Sequence, residues 1–202
     1  MLTDNKMRWG GLLENPWISK VQRSLLDYGS FIAIRKTLSF LSFENILDVG
    51  CGIGDYAAIR QKKYVGLDNS LKSITFAAQH HRSCFFTRGD ALTLPFRDKS
   101  FDLSMMIEIS HHLTDQDFKH VVLEMVRVTK KYILIEDSVR FKNQNPISSF
   151  FYNLDRGGQF RYLEEMKNIL QAIAGTQLKE IHSYRTFPGF YFHKIFILEI
   201  QR

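Results

Sequence analysis

Asn45-Ile46-Leu47-Asp48-Val49-Gly50-Cys51-Gly52-Ile53-Gly54-Asp55-Tyr56 is the stretch that decides the fold. An apolar strand runs into a glycine-spaced turn, and the turn is expected to open a helix. Glycines let backbone approach a ligand more closely than any Cβ would allow. In open α/β sheets, the turn after the first strand is where nucleotides bind. The spacing is G-x-G-x-G. It differs from the G-x-G-x-x-G that cradles a pyrophosphate on a helix N-terminus. Asp48 stands two residues before the first glycine. At the strand tip its carboxylate would repel a pyrophosphate and welcome an ammonium. The ligand that suits this turn carries an adenosine, a cationic end and no phosphate.

Working outward, Tyr64-Val65-Gly66-Leu67-Asp68 reads as a second strand, after a short helix ending near Gln61-Lys62-Lys63. Asp68 closes it, 20 residues beyond Asp48. An acid at that distance, on the second strand tip, hydrogen-bonds ribose hydroxyls in nucleotide folds. A loop or capping role is the alternative. Asn69-Ser70 follows, with Ser70 placed to cap a helix over 70–80. Cys84–Arg88 reads as a third strand and runs into Gly89-Asp90-Ala91-Leu92-Thr93-Leu94-Pro95-Phe96. Phe101–Ile107 is nearly continuous apolar, as a central buried strand should be.

These motifs together resemble class I S-adenosylmethionine-dependent methyltransferases. Leu47–Gly54 resembles the family's first motif, and Asp90-Ala91 its third. The Leu94-Pro95-Phe96 tail, followed by Asp98 and Ser100-Phe101-Asp102, is similar to a segment frequent in small-molecule methyltransferases, and is more specific than the glycines. The resemblance implies S-adenosyl-L-methionine as cofactor. It implies a cofactor-binding set of Asp48, Gly50, Cys51, Gly52, Gly54, Asp68, Asn69, Asp90, Ala91 and Ile107. Asp90 would accept from the adenine amino group, and the Ala91 amide would reach a ring nitrogen. The implied fold is an α/β Rossmann-like sheet of seven mostly parallel strands, the last antiparallel, with helices on both faces. The resemblance covers residues 45–137 motif by motif and 162–200 by strand order. The helix between Gly54 and Asp68 is about one turn short for the family.

Glu108-Ile109-Ser110-His111-His112-Leu113 sits at the tip of strand four, which borders the methyl group in this fold. The candidate catalytic residues are His112, His111 and Glu108. A histidine titrates near neutral pH and takes a proton from a hydroxyl. Capping or structural roles are the alternative for both histidines, and cofactor-ammonium binding is the alternative for Glu108. A helix begins at Thr114, with Asp117 three residues on, an acidic variant of the capping box. Tyr132–Asp137 reads as strand five. Residues 138–160 then lose regular alternation, and an irregular stretch of that length is usually functional. A helix over Tyr162–Ala174, closed by Gly175, and strands near Leu178–Tyr184 and Phe192–Ile200 complete the chain.

The chain of 202 residues suits one domain with a full core. Residues 1–44 read as an N-terminal arm and cap helices. Residues 45–202 read as the methyltransferase domain, with 138–160 as a substrate-cap insertion. Trp17, Val21, Leu25 and Tyr28 fall at helical spacing, and Ile32, Ile34, Leu38 and Leu41 continue the stripe. Trp9 or Trp17 would touch ligand if this segment caps the pocket; packing on the sheet edge is the alternative. No apolar run reaches the ~20 residues that span a bilayer. The N-terminus lacks a secretory pattern, so a cytoplasmic location is expected. Two cysteines and adjacent rather than spaced histidine pairs offer no metal cluster, so no metal is expected.

The expected partner is a small acceptor, apolar or aromatic, because the 17 Phe include many outside the sheet core. Arg140, Lys142, Arg156 and Arg161 would grip an acidic group on it. A net charge of +6 keeps an RNA or protein acceptor open as the alternative. Against nucleic acid, strand four lacks the Asn- or Asp-Pro-Pro-aromatic motif of adenine-amino methylation. Neither cysteine is placed for the covalent route to pyrimidine C5. The aromatic segments 9–31 and 138–160 have a homodimer interface as their alternative use.

Overall fold

The computed structural model describes residues 28–59, 63–154, 158–185 and 191–201. In chain order the elements are α1 (Tyr28–Ser39), β1 (Ile46–Val49), β2 (Tyr64–Asp68), α2 (Leu71–His80), β3 (Phe85–Arg88), β4 (Phe101–Ile107), α3 (Asp115–Val128), β5 (Thr129–Ser138), α4 (Pro146–Leu154), α5 (Leu163–Gln171), β6 (Thr176–Arg185) and β7 (Phe192–Ile200).

The strands form one seven-stranded sheet in the order β3-β2-β1-β4-β5-β7-β6. β7 is antiparallel to β5 and β6, and the remaining pairs are parallel. The expected sheet is therefore present. Its order reverses between β1 and β4, and the crevice outside the carboxyl ends of those strands is where such sheets bind ligands.

Strand alternation sends successive side chains to opposite faces. Leu47, Val49, Met106, Ile133, Ile135, Phe196 and Leu198 face a core closed by Phe118, Val122 and Met125 of α3 and Met166 and Leu170 of α5. Ile46, Leu103, Met105, Leu134, Ile195 and Ile197 face the other core, with Ile34 and Leu38 of α1. Every residue of β4 is buried, as its unbroken apolar run predicts.

Several expectations need correction. The described residues after the glycine turn form turns and a 3₁₀ segment, Ala57–Ile59, rather than an α-helix. In α1, Ile32 is half exposed, so the buried stripe narrows to Ile34 and Leu38. β5 starts at Thr129, directly from α3, where Thr129 pairs with Phe101 of β4 and Lys130 and Lys131 lie near Asp102. Residues 138–160 are not irregular throughout, since α4 lies inside them. The cue was Asn145-Pro146. The Asn145 side chain accepts from the Ser148 amide at 2.8 Å, and Pro146 sits at the first helical position, where it has no amide to lose. α5 ends at Gln171, three residues early, in a turn leading to Gly175. Residues 1–27, with Trp9 and Trp17, lie outside the described residues, as do Arg156, Phe187 and Phe190.

Candidate active site

The glycine turn follows β1. Gly50, Gly52 and Gly54 all have positive φ, at 76°, 54° and 82°. A Cβ on Gly50 would also stand 2.6 Å from Ile109 Cδ1. Both strain and space therefore require glycine there. The Gly50 and Cys51 amides both donate to the Leu67 carbonyl, at 2.7 and 3.0 Å, and lash the turn to β2. Cys51 is buried beneath it, and burial, with Asp48 and Asp68 nearby, pushes its thiol far up. A thiol so held is inert as a nucleophile.

Asp48 does not stand at an open tip. It is buried and accepts a hydrogen bond from the Tyr64 hydroxyl. Burial and the Asp48 charge hold that phenol protonated. Asp48 thus forms the floor beneath the turn. Asp68 does reach the turn: Oδ2 accepts from the Gly52 amide at 2.9 Å and Oδ1 from the Ser70 amide at 2.8 Å. These bonds fix a carboxylate whose remaining lone pairs are available to hydroxyls. Asn69 is exposed beside it, and Ser70 caps α2 as expected.

Asp90 is exposed beyond β3 and accepts from the Leu92 amide at 2.9 Å, while Ala91 is half-buried. Two residues that sequence reasoning missed hold this loop, Glu124 and Arg127 of α3. Glu124 Oε2 accepts from the Leu94 amide at 2.9 Å. Arg127 donates to Glu124 and to the carbonyls of Leu94 and Phe96, all within 2.9 Å. The signal available was a Glu and an Arg one helical turn apart.

That clamp is testable. The Arg127 bond holds the Glu124 carboxyl below its ordinary value of 4.5, against an opposing push from burial. A lowered folded pKa contributes stability that is present above the unfolded value and lost as pH falls through the folded one. Glu124→Gln is expected to cost ~1–3 kcal/mol at pH 7, the range for a bond to a charged group. The loss should shrink toward acid pH. Urea unfolding at neutral and acid pH checks this, and equal losses at both would show that the charge plays no part.

On the other side of the crevice, β4 ends in Ile107, which is buried, and Glu108, whose φ of 55° is positive. A non-glycine residue held there costs ~1–3 kcal/mol and marks functional sites more often than other places. A 3₁₀ turn follows, Ser110–His112. His111 is buried and stacks on Phe160 at 4.7 Å. Its Nδ1 lies 2.7 Å from Asp137 Oδ1, and its amide donates to Asp137 Oδ2. Ser110 and the Ser138 amide also donate to Asp137. Burial pushes the Asp137 carboxyl up, but His111 and these donors outweigh it and hold the group below its usual range. His112, one residue on, is exposed, with its ring 4.2 Å from that of His111.

Glu136, fully buried, lies in register beside Ile107. Its Oε1 accepts from the Tyr184 hydroxyl at 2.5 Å and lies 3.0 Å from His193 Nδ1. Burial first, then the Glu108 charge, pushes its carboxyl up to about 7. His193 Nδ1 also meets Glu108 Oε1 at 2.8 Å. Burial works to lower the His193 pKa, and the two carboxylates overcome it and hold the value well above ordinary. Glu136, Asp137, Tyr184 and His193 escaped the sequence reading. The cue was an acidic pair ending an otherwise apolar strand.

Arg161 is buried and engaged within the fold. It donates to Asp115, to the Ser110 carbonyl and to the Leu113 carbonyl at 2.7–2.8 Å, pinning the turn that carries both histidines. Arg140 donates to Asn153 of α4, and Lys142 is exposed. α4 is moored through Tyr152, which donates to the Val139 carbonyl and packs on Phe160 and Tyr191. A cavity of about 480 Å³, lined by Asn45, Lys63, Arg82 and Cys84 among others, opens at the opposite end of the strands and shares only Tyr64 with the residues above.

A family model described as a methyltransferase domain matches residues 46–132, from the start of β1 into β5. The chain is therefore similar to known methyltransferases. A phthiotriol/phenolphthiotriol dimycocerosates methyltransferase of Mycobacterium ulcerans is 30% identical over 154 residues, covering 72% of this chain and 54% of that protein. A fatty-acid O-methyltransferase of Mycolicibacterium smegmatis is 39% identical over 75 residues, 34% of this chain and 27% of that protein. The chain thus spans about half the length of the first of these relatives, and less of the second. A Thermotoga maritima S-adenosylmethionine-dependent methyltransferase, described as a possible histamine N-methyltransferase, superposes with a TM-score of 0.72 at 18% identity. The superposition covers 96% of this chain and 100% of that one, and it shows a shared fold.

Proposed function

We propose that this chain transfers a methyl group from S-adenosyl-L-methionine to a small acceptor, apolar or aromatic. One observation carries the reading. The three positive-φ glycines and the Asp68 carboxylate meet at the end of β1 and β2, with Asp90-Ala91 beside them after β3. That is the family's adenosyl-binding order. The residues fit the cofactor: the turn is closed to side chains, and Asp68 is oriented with lone pairs to spare.

Gly50, Cys51, Gly52 and Gly54 would supply the close backbone. Asp68 would take the ribose hydroxyls, with Asn69 beside it, and Asp90 and Ala91 the adenine. Asp48 acts from below through Tyr64, and Ile107 closes the floor under the methyl group. The bound cofactor supplies an electrophilic methyl on a sulfonium. The chain's part is alignment, which alone supplies ~7–11 kcal/mol in favourable cases. His112 is the accessible histidine at the rim and receives the acceptor's proton, while His111, locked by Asp137, holds the turn in place. Glu108 faces the same rim.

The relatives' named acceptors, dimycocerosates and fatty acids, support an apolar acceptor. Phe150 of α4 is exposed, and an aromatic side chain suits an apolar acceptor. Phe150→Ala is expected to spare cofactor affinity and raise KM for the acceptor; an unchanged KM would remove α4 from the acceptor wall. The charge of +6 favours a second reading, an RNA or protein acceptor. Labelled cofactor incubated with fractionated cell extract separates them by which fraction gains label. No described helix is long and apolar enough to cross a membrane, and we place the reaction in the cytoplasm. Fractionation of cells into cytosol and membrane tests that.

A further inference from the structure

The cluster between β4, β5 and β7 holds more ligating groups than proton transfer needs. His193 Nδ1 lies 2.8 Å from Glu108 Oε1, 3.0 Å from Glu136 Oε1 and 3.3 Å from Ser138 Oγ. One ring nitrogen carries at most one proton, so three oxygens cannot all receive a good bond from it. Glu136 adds a second anomaly. It is fully buried, and its Oε2 has no hydrogen-bond partner among the described residues. A buried carboxylate oxygen left without a partner is costly.

A cation between these groups relieves the crowding at the nitrogen and offsets the charge of the buried Glu136 carboxylate. Two ligand atoms each ~2.1 Å from an ion, at right angles, stand ~3.0 Å apart. The nitrogen–oxygen separations here are 2.8 and 3.0 Å. Ligand atoms of Glu108, Glu136 and His193 all lie within 4.8 Å of one another. The donors come from three different strands or strand tips, which the sheet holds rigid. We propose that Glu108, Glu136 and His193 bind a divalent transition-metal ion. Two carboxylates and an imidazole suit manganese or zinc better than a soft-ligand metal. The sequence reading missed this site because its ligands are 28 and 57 residues apart and carry no spacing signature.

Glu108 is at the crevice rim, with 29% of its side chain exposed, so a bound ion has an open side. An acceptor hydroxyl or carboxylate oxygen placed there becomes a further ligand, and its proton is more readily lost. This last step rests on the methyl-transfer reading; the metal site does not.

The test is a manganese titration of the chelator-treated protein, without any adenosyl ligand, followed by loss of the free-ion electron paramagnetic resonance signal. The expected result is one equivalent bound and displaced by zinc. Glu136→Gln and Glu108→Gln should each weaken binding tenfold or more, since even changes to groups that only orient a ligand cost 10–100-fold. If Glu136→Gln fails to fold, Glu108→Gln at the exposed rim decides alone. No uptake at millimolar manganese, or uptake unchanged in the folded variants, overturns the site. Cofactor calorimetry on the same samples reports the methyl-transfer reading separately.

Discussion

His112→Ala is expected to lower kcat by ~10²–10⁴-fold, the usual worth of a positioned general base, with cofactor affinity unchanged. Access separates the two histidines. His111 and His112 share a 3₁₀ turn at the tip of β4, beside the point where the sheet order reverses. His111 is buried, bound to Asp137 and stacked on Phe160. Its environment is complete without a ligand. His112 projects outward from a turn that Arg161 pins through two carbonyls. A side chain that is accessible on a rigid base is what proton removal requires. Single-turnover kinetics on the identified acceptor measures the effect. An unaltered rate in a folded variant would leave the transfer to alignment alone. A larger loss in His111→Ala than in His112→Ala would reverse their roles.

Asp68→Ala is expected to weaken S-adenosylmethionine binding roughly 10- to 150-fold, from the loss of ~1.5–3 kcal/mol in bonds to a charged acceptor. Two effects act together. The variant removes the acceptor for the ribose hydroxyls, and it releases the Gly52 and Ser70 amides that the carboxylate now holds. Asp68→Asn keeps one carbonyl acceptor and should fall between the two. Asp90→Ala is expected to be milder, because Asp90 is exposed and adenine also stacks on apolar neighbours. Affinity unchanged in a folded Asp68→Ala protein would reduce Asp68 to a residue that shapes the turn.

The glycine turn and the strand tips expected to meet the cofactor were legible because their determinants are local. Each glycine of the turn is demanded by its own φ, and each strand tip lies within a few residues of its motif. The strands were legible from period and apolar runs, and β4 matches its expected bounds. Asp48 was misplaced because its partner, Tyr64, comes from the neighbouring strand, and a strand pairing decides which acid is buried. The acceptor half was mostly hidden for the same reason. Glu136 meets His193 only because β7 inserts antiparallel beside β5. Arg161 looks like a free cation in sequence, and only the fold brings it to the Ser110 and Leu113 carbonyls. α4 was overlooked because its serines and aromatics are weak helix formers, and its Asn145 cap outweighs them.

The most direct test of the account is isothermal calorimetry with S-adenosylmethionine, S-adenosylhomocysteine and NAD on the purified chain. The account predicts saturable heat with both adenosyl ligands, weakened by Asp68→Ala, and none with NAD. Heat with NAD and none with either adenosyl ligand would contradict it.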